Sequence, residues 1–348
     1  MTLPHAFDPS LEQAAASAAS DRLARAAEAM ERLRRRVAAQ ILGRDEVIEL
    51  VLAALLADGH VLLEDFPGSG KTTLAKALGH SIVDDRPEDE IADFRRIQFT
   101  PDLLPSDVTG VAVFDAATSR FYFRHGPIFA HVVLADEINR TSPKVQAAML
   151  EAMGEKQVTV DNATHRLDEL FFVIATQNPL DLAGTYPLPV AQLDRFLFKI
   201  RMLHIDREAE LDVLATRRER RDAEREDLPK VTRAELLEAR RAVDEGIAIH
   251  PGVRDCLVDV SRALRADPRV LQGNSTRSLV VLLPALQARA LLRGRDHVTT
   301  DDLEALLPRV LGHRVELSPE APDFDEVLRD ALAAPLERLS RSTLRRGA

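Results

Sequence analysis

Short apolar runs and helical periodicities alternate along the first 200 residues of this chain, and helical periodicity alone fills the remainder. Between residues 45 and 57, Val47, Ile48, Val51, Leu52 and Leu55 recur at the three- and four-residue spacing of an amphipathic helix. His60-Val61-Leu62-Leu63 is different: short, continuous and without helical spacing. Ile97-Gln98-Phe99, His131-Val132-Val133-Leu134-Ala135, Phe171-Phe172-Val173-Ile174-Ala175 and Phe196-Leu197-Phe198-Lys199-Ile200 repeat it. Strands that read as unbroken apolar runs are covered on both faces, so a mostly parallel sheet is expected. Helical stretches between the runs, such as 144–154, make this an α/β layered domain. Two further pairs of β-prone segments flank turn residues, 111–114 with 121–123 and 157–160 with 165–167, and both predict hairpins.

Residues 1–20, rich in Ala and Ser with Pro4 and Pro9, read as a mobile tail. A helix is expected from Ser20 or Asp21 to Gln40. Its run Arg32, Arg34, Arg35 and Arg36 predicts a solvated face. Ile41-Leu42-Gly43-Arg44 breaks it. Beyond Asp206 the β signal disappears. A charged helix over 206–226 is followed by helical patterns at 233–244, 251–265, 275–293, 300–310 and 323–341, and Thr299-Thr300-Asp301-Asp302 marks a helix start. In the 275–293 pattern, Leu279, Leu282, Leu283 and Leu286 read as core. The expected organisation is a tail (1–20), an α/β domain (21–204) and an all-helical domain (205–348).

A hydrophobic fraction of 45% in 348 residues permits about two substantial cores. No apolar run approaches the roughly 20 residues that span a bilayer, and the N-terminus lacks a basic region followed by an apolar stretch. The single cysteine, Cys256, excludes an internal disulfide and a cysteine metal cluster, and it reads as a small hydrophobe. A cytoplasmic protein is expected. The formal net charge of −10 argues against a general nucleic-acid role and leaves only local basic patches.

The chemistry is concentrated after the first apolar run, in Glu64-Asp65-Phe66-Pro67-Gly68-Ser69-Gly70-Lys71-Thr72-Thr73. Strand, glycine loop, Gly-Lys-Thr and helix form the layout of a phosphate-binding loop. Glycines let backbone N–H groups curl around phosphate oxygens, and the helix N-terminus favours negative charge. Lys71 would reach the β- and γ-phosphates, and the Thr72 hydroxyl would meet Mg²⁺. The bland alternative is an ordinary glycine turn. One departure is visible: Asp65 stands where the pattern G-x-x-x-x-G-K-[ST] has its first glycine.

Downstream, Val132 to Ala135 ends in Asp136 and Glu137. At the C-terminal edge of a parallel sheet, Asp136 would hold Mg²⁺ and Glu137 would orient or deprotonate water. The same pair also suits a plain acidic helix cap. Thr176-Gln177-Asn178-Pro179 would place an amide at the same edge, or form a simple turn. Leu193-Asp194-Arg195-Phe196 puts an arginine before the last run, either paired structurally or acting as an arginine finger toward a neighbouring subunit.

Taken together, the chain resembles an AAA+ ATPase, and within that superfamily the MoxR family. The resemblance is carried by Ile41-Leu42-Gly43-Arg44-Asp45, the Gly-Lys-Thr loop and Arg96-Ile97-Gln98-Phe99-Thr100-Pro101-Asp102-Leu103-Leu104-Pro105-Ser106-Asp107. Gly126-Pro127-Ile128-Phe129, Leu134-Ala135-Asp136-Glu137-Ile138-Asn139-Arg140, Leu150-Glu151-Ala152-Met153, Gly184-Thr185-Tyr186-Pro187-Leu188-Pro189 and Gln192-Leu193-Asp194-Arg195-Phe196 follow in the family's order. Gly273-Asn274-Ser275-Thr276-Arg277 and Leu291-Leu292-Arg293-Gly294-Arg295 resemble its lid.

The resemblance implies an AAA+ P-loop core, with a parallel five-stranded sheet, helices on both faces and two β-hairpin insertions, followed by an all-helical lid. It implies ATP and Mg²⁺ as ligands. Pro67, Gly68, Ser69, Gly70, Lys71, Thr72 and Thr73 would be the Walker A loop, and Asp136 and Glu137 the Walker B pair. Asn178 would be sensor 1, Arg195 the finger, Arg277 sensor 2, and Gly43 with Arg44 the start of the adenine pocket. It further implies a homo-oligomeric ring, a hexamer, with a von Willebrand factor A domain partner and chaperone-like work on protein complexes. A nucleic-acid motor of the same branch is the alternative, and the few basic residues of the hairpins speak against it. Gly312 stands where relatives often carry a larger basic residue, which affects a local lid contact.

Overall fold

The computed structural model describes residues 9–64, 68–86, 91–178, 184–216 and 228–344, with 9–16 and 342–344 as backbone only. Helices α1 (Pro9–Ala38) and α2 (Asp45–Leu56) precede strand β1 (Val61–Glu64), helix α3 (Lys71–His80), the short β2 (Ile82–Val83) and β3 (Ala92–Gln98). Helix α4 (Pro105–Thr109), the hairpin β4 (Gly110–Asp115) and β5 (Arg120–His125), and β6 (Ala130–Asp136) follow. Then come α5 (Pro143–Glu155), the hairpin β7 (Gln157–Val160) and β8 (Ala163–Arg166), β9 (Phe172–Gln177), the short α6 (Val190–Leu193) and β10 (Phe198–Arg201). The remainder holds α7 (Arg207–Ala215), β11 (Val231–Thr232), α8 (Arg233–Gly246), α9 (Pro251–Ala266), β12 (Val270–Gln272), α10 (Thr276–Leu292), α11 (Thr300–Leu311), β13 (Glu316–Leu317) and α12 (Phe324–Leu344).

The continuous apolar runs form a five-stranded sheet in the order β10-β1-β9-β6-β3, with every neighbouring pair parallel. Alternate side chains of β1, β6 and β9 enter different cores. Val61, Leu63, Val132, Leu134, Phe172 and Ile174 pack with α1, α2, α3 and the lid helices. Leu62, Val133, Ala135, Val173 and Ala175 face Val145, Met149 and Leu150 of α5. Burial on both faces is why these strands show no polar alternation. Both expected hairpins are present and antiparallel. They touch through rings: Phe123 stacks on His165 with centroids 3.6 Å apart.

Three expectations change. The first helix begins at Pro9, before the expected Ser20 or Asp21. Pro9 sits in the first turn, where its missing N–H costs nothing, and the Ala-rich stretch behind it is strongly helix-forming. Its arginine run is only half solvated. Arg34 and Arg35 pair with Glu31 at 2.7 Å, but Arg32 bonds Glu235 of α8 and Arg36 bonds the Leu228 carbonyl. The apolar stripe Ala26, Ala29, Met30, Leu33 and Val37 is buried between core and lid. The C-terminal region also contains β structure: β11 pairs with β2, and β12 with β13. Strands of two or three residues are too short to leave a periodic signal. The charged helix expected over 206–226 is seen as α7, and its continuation at 217–227 lies outside the described residues. Among the described residues no helix is long and apolar enough to cross a membrane. Cys256 is buried as expected.

Candidate functional site

The C-terminal ends of four sheet strands lie side by side. Gln98 at the end of β3 is in register with Asp136 at the end of β6, and Glu64 of β1 with Gln177 of β9. Asn178 directly follows β9 at that edge. The loop after β1 feeds α3, whose N-cap Gly70 is left-handed (φ 94°, ψ 10°) and supplies no side-chain cap. Gly68 is left-handed as well (φ 92°). Those angles are strained for any residue bearing a Cβ. The first N–H groups of α3, beginning with Lys71, Thr72 and Thr73, therefore need acceptors from outside the helix. Thr72 and Thr73 are exposed, and the buried Ser69 hydroxyl has no hydrogen-bond partner among the described residues. An uncapped helix start with left-handed glycines and an orphaned hydroxyl fits a bound phosphate group. Asp65 and Pro67 of this loop lie outside the described residues.

Asp136 and Glu137 are held by neighbours that were not expected to act. Thr176 of β9 donates its hydroxyl to Asp136 Oδ1 at 2.6 Å, and the Thr176 Oγ1 in turn accepts the Glu137 N–H at 2.8 Å. Arg96 donates to Asp136 Oδ2 through Nη2 (2.7 Å) and Nε (3.1 Å). Arg96 Nη2 also donates to Gln98 Oε1, which turns the Gln98 amide so that Nε2 donates to Glu137 Oε2 at 2.8 Å. Glu137 is itself left-handed (φ 58°, ψ 48°) and pairs with Arg140 at 3.2 Å. The two acids thus do more than cap a helix. They are aimed by a hydrogen-bonded chain across three strands, of which only the polar ends of the apolar runs were a sequence signal.

Beside the loop is a cavity of about 510 Å³ lined by Ile41, Leu42, Arg44, Gly68 to Gly70 and Thr73 on one side and by Leu203, His204, Ile205, Val213 and Leu214 on the other. Gly43 (φ 67°) lets the chain turn against α7. A Cβ there would lie 2.6 Å from that of Ala209. Arg44 is buried and donates to the Leu203 carbonyl, tying the two walls together. Leu203 and Leu214 are 63% and 72% exposed, an apolar flank open to a planar ring. This second wall was missed from sequence, since α7 reads only as charged.

The remaining two candidates are elsewhere. Arg195 does not line the cavity; its Nη1 donates to the Leu150 carbonyl of α5 at 2.6 Å. Arg277 is exposed in the first turn of α10, also away from the cavity lining. Among the described residues no group of three His, Cys, Asp or Glu side chains could hold a metal alone. A divalent cation here would be shared between protein oxygens and its phosphate partner, as Mg²⁺ commonly is.

The family model "ATPase family associated with various cellular activities (AAA)" matches residues 60–198, and that of the AAA lid domain matches 262–332. The chain is 46% identical to the uncharacterized protein YeaC of Bacillus subtilis, over 88% of this chain and 93% of that one. It is 36% identical to Chaperone MoxR1 of Mycobacterium tuberculosis, over 81% and 74% respectively. The crystal structure of a candidate ATPase from Cytophaga hutchinsonii superposes with a TM-score of 0.78 at 32% identity, covering 91% of this chain and 97% of that one.

Proposed function

The chain belongs to the MoxR family of AAA+ ATPases, and on that premise we propose that it hydrolyses ATP at the β1–α3 loop and uses the energy to remodel protein complexes. One observation carries the reading: the uncapped, glycine-shaped start of α3 stands at the sheet edge where Asp136 ends β6 and Glu137 follows it. The triphosphate would lie on the N–H groups of 68–73, with Lys71 neutralising the β- and γ-phosphates. The adenine would enter the cavity between Ile41–Arg44 and Leu203–Leu214, where the exposed leucines lose their contact with water. Thr72 and Asp136 are the residues that would hold Mg²⁺, whose charge offsets that of the phosphates. Glu137, aimed by Gln98, orients the attacking water and takes its proton, and Asn178 positions the same water.

Arg195 is not among the residues that line its own cavity, which is compatible with a role in a neighbour's site. The working form would be a homo-oligomeric ring, a hexamer by family resemblance. Arg277 would couple phosphate state to the lid. A partner with a von Willebrand factor A domain and a client complex are the family's implied company. Binding of a fluorescent ATP analogue and phosphate release test the reading. Lys71→Ala should lose binding at least 100-fold. Glu137→Gln should keep binding while turnover falls at least 100-fold. Normal turnover by Glu137→Gln would overturn the assignment.

A further inference from the structure

The residue that follows His313 beyond α11 is a buried arginine whose side-chain bonds all go to one short segment and to the end of α11. Arg314, 5% exposed, donates through Nε to Asp194 Oδ1 at 2.6 Å. Its Nη2 donates to the carbonyls of Asp194 (3.0 Å) and Phe196 (2.7 Å). Its Nη1 donates to the Leu197 carbonyl at 3.2 Å and to Val310 within α11. The His313 ring, also buried, adds a bond from Nε2 to the Phe196 carbonyl at 3.0 Å. The residue between the gripped positions is Arg195.

We propose that Arg314 and His313 are positioning residues through which the lid sets the place of Arg195, so that lid movement in one subunit reaches the ATP site of the next. The proposal rests on the reading of Arg195 as a finger acting in trans. Its physical basis is the direction of the bonds. A buried guanidinium needs acceptors for its donors, and here main-chain carbonyls on both sides of residue 195 supply them. A shift of the lid segment must carry that main chain along or break several buried hydrogen bonds at once, and an unpaired buried charge is far more costly than a paired one. The far end of Arg195 is held separately, by Leu150 of α5, where the absence of a side chain at Gly154 leaves room: a Cβ there would lie 2.4 Å from Arg195 Nη1. The guanidinium is thus anchored on α5 while its backbone is anchored on the lid. Arg277 lies near enough to Arg314 for their like charges to interact. A phosphate contact at the start of α10 and the grip on Arg195 therefore share one corner of the lid.

The test is subunit mixing. Arg314→Lys keeps the charge but cannot reach five acceptors with a planar fork. Alone it should bind the fluorescent ATP analogue within twofold of the unaltered protein and turn over at least tenfold more slowly. Mixed in equal amounts with Glu137→Gln subunits, which are inactive but carry an intact Arg195, its turnover should rise several-fold, because half of its sites then receive a properly held finger. Arg195→Ala mixed with Glu137→Gln should rise in the same way. If Arg195→Ala is rescued and Arg314→Lys is not, or if Arg314→Lys alone turns over normally, the positioning role is wrong. If neither mixture rises, the trans role of Arg195 fails and the proposal falls with it. Should Arg314→Lys not fold, Asp194→Asn, at a side chain 28% exposed, undergoes the same mixing, with a smaller loss and the same rescue expected.

Discussion

Glu137 holds a backbone conformation that costs a residue with a Cβ roughly 1–2 kcal/mol, and it does so where its carboxylate meets Gln98. Strain of this kind persists when the surroundings over-determine it and is found at working sites. Glu137→Gly should therefore keep the thermal midpoint within about 2 °C of the unaltered chain, despite losing the bonds to Gln98 and Arg140, while turnover disappears. Calorimetry and phosphate release read the two effects. A second residue makes a prediction of opposite kind. His60 is buried at the start of β1; its Nδ1 accepts the Val173 N–H and its Nε2 donates to the Met153 carbonyl, both at 3.1 Å. That pattern requires the neutral ring, and burial pushes its pKa down to about 4, only partly offset by the Met153 bond. Since the folded value is below the ordinary 6.5, the histidine favours folding above about pH 6.5, and this contribution, on the order of 3 kcal/mol, is lost as pH falls toward 4. His60→Gln should lower stability at pH 7.5 and flatten its fall between pH 6.5 and 4, as urea titrations at each pH would register.

At the scale of elements, what could be read from sequence was what local pattern determines. The inner strands β1, β9 and β6 are covered on both faces, so their apolar runs announced them, whereas the edge strand β3 carries exposed Arg95 and Arg96 and only its end showed, in Ile97-Gln98-Phe99. The Gly-Ser-Gly-Lys-Thr loop announced itself because its neighbours in space are its neighbours in sequence. Features set by distant contacts were silent. The register that brings Gln98 beside Asp136, the α7 wall of the cavity and the grip of Arg314 on residues 194–197 all join segments far apart in the chain. The N-terminal helix shows the same limit. Its arginines read as a solvated face, but its stripe from Ala26 to Val37 is packed between α2, α3 and α8. Helix α1 is thus a structural strut. Leu33 is fully buried, so Leu33→Ala should destabilise by about 2–5 kcal/mol. Thermal unfolding should show the loss in core and lid together. Loss confined to the lid would mean that α1 belongs to that domain alone.

For the whole molecule, the question is where nucleotide can move the lid if lid and core are bolted together. The large apolar cluster runs without a break from β1 and α2 through α10 and α11. Along the same seam Glu49 of α2 pairs with Arg289 of α10 (3.3 Å) and with Arg293 just beyond it (2.6 Å), and Glu46 with Arg309 of α11 at 2.9 Å. The exposed pairs add little by themselves; the buried cluster beneath them makes separation along this seam expensive. Movement must then be concentrated on the side that lacks such packing: the cavity wall at 203–214, where Leu203, Leu211 and Leu214 are exposed and α7 buries no residue. Regions with few buried contacts open most readily. Hydrogen exchange with and without a non-hydrolysable ATP analogue should therefore show added protection at 40–44, 68–74 and 203–215, with α2 and α10 unchanged along their contact. Protection spread evenly over the α2–α10 seam would instead mean that nucleotide tightens the whole molecule, and that the lid does not pivot about this seam.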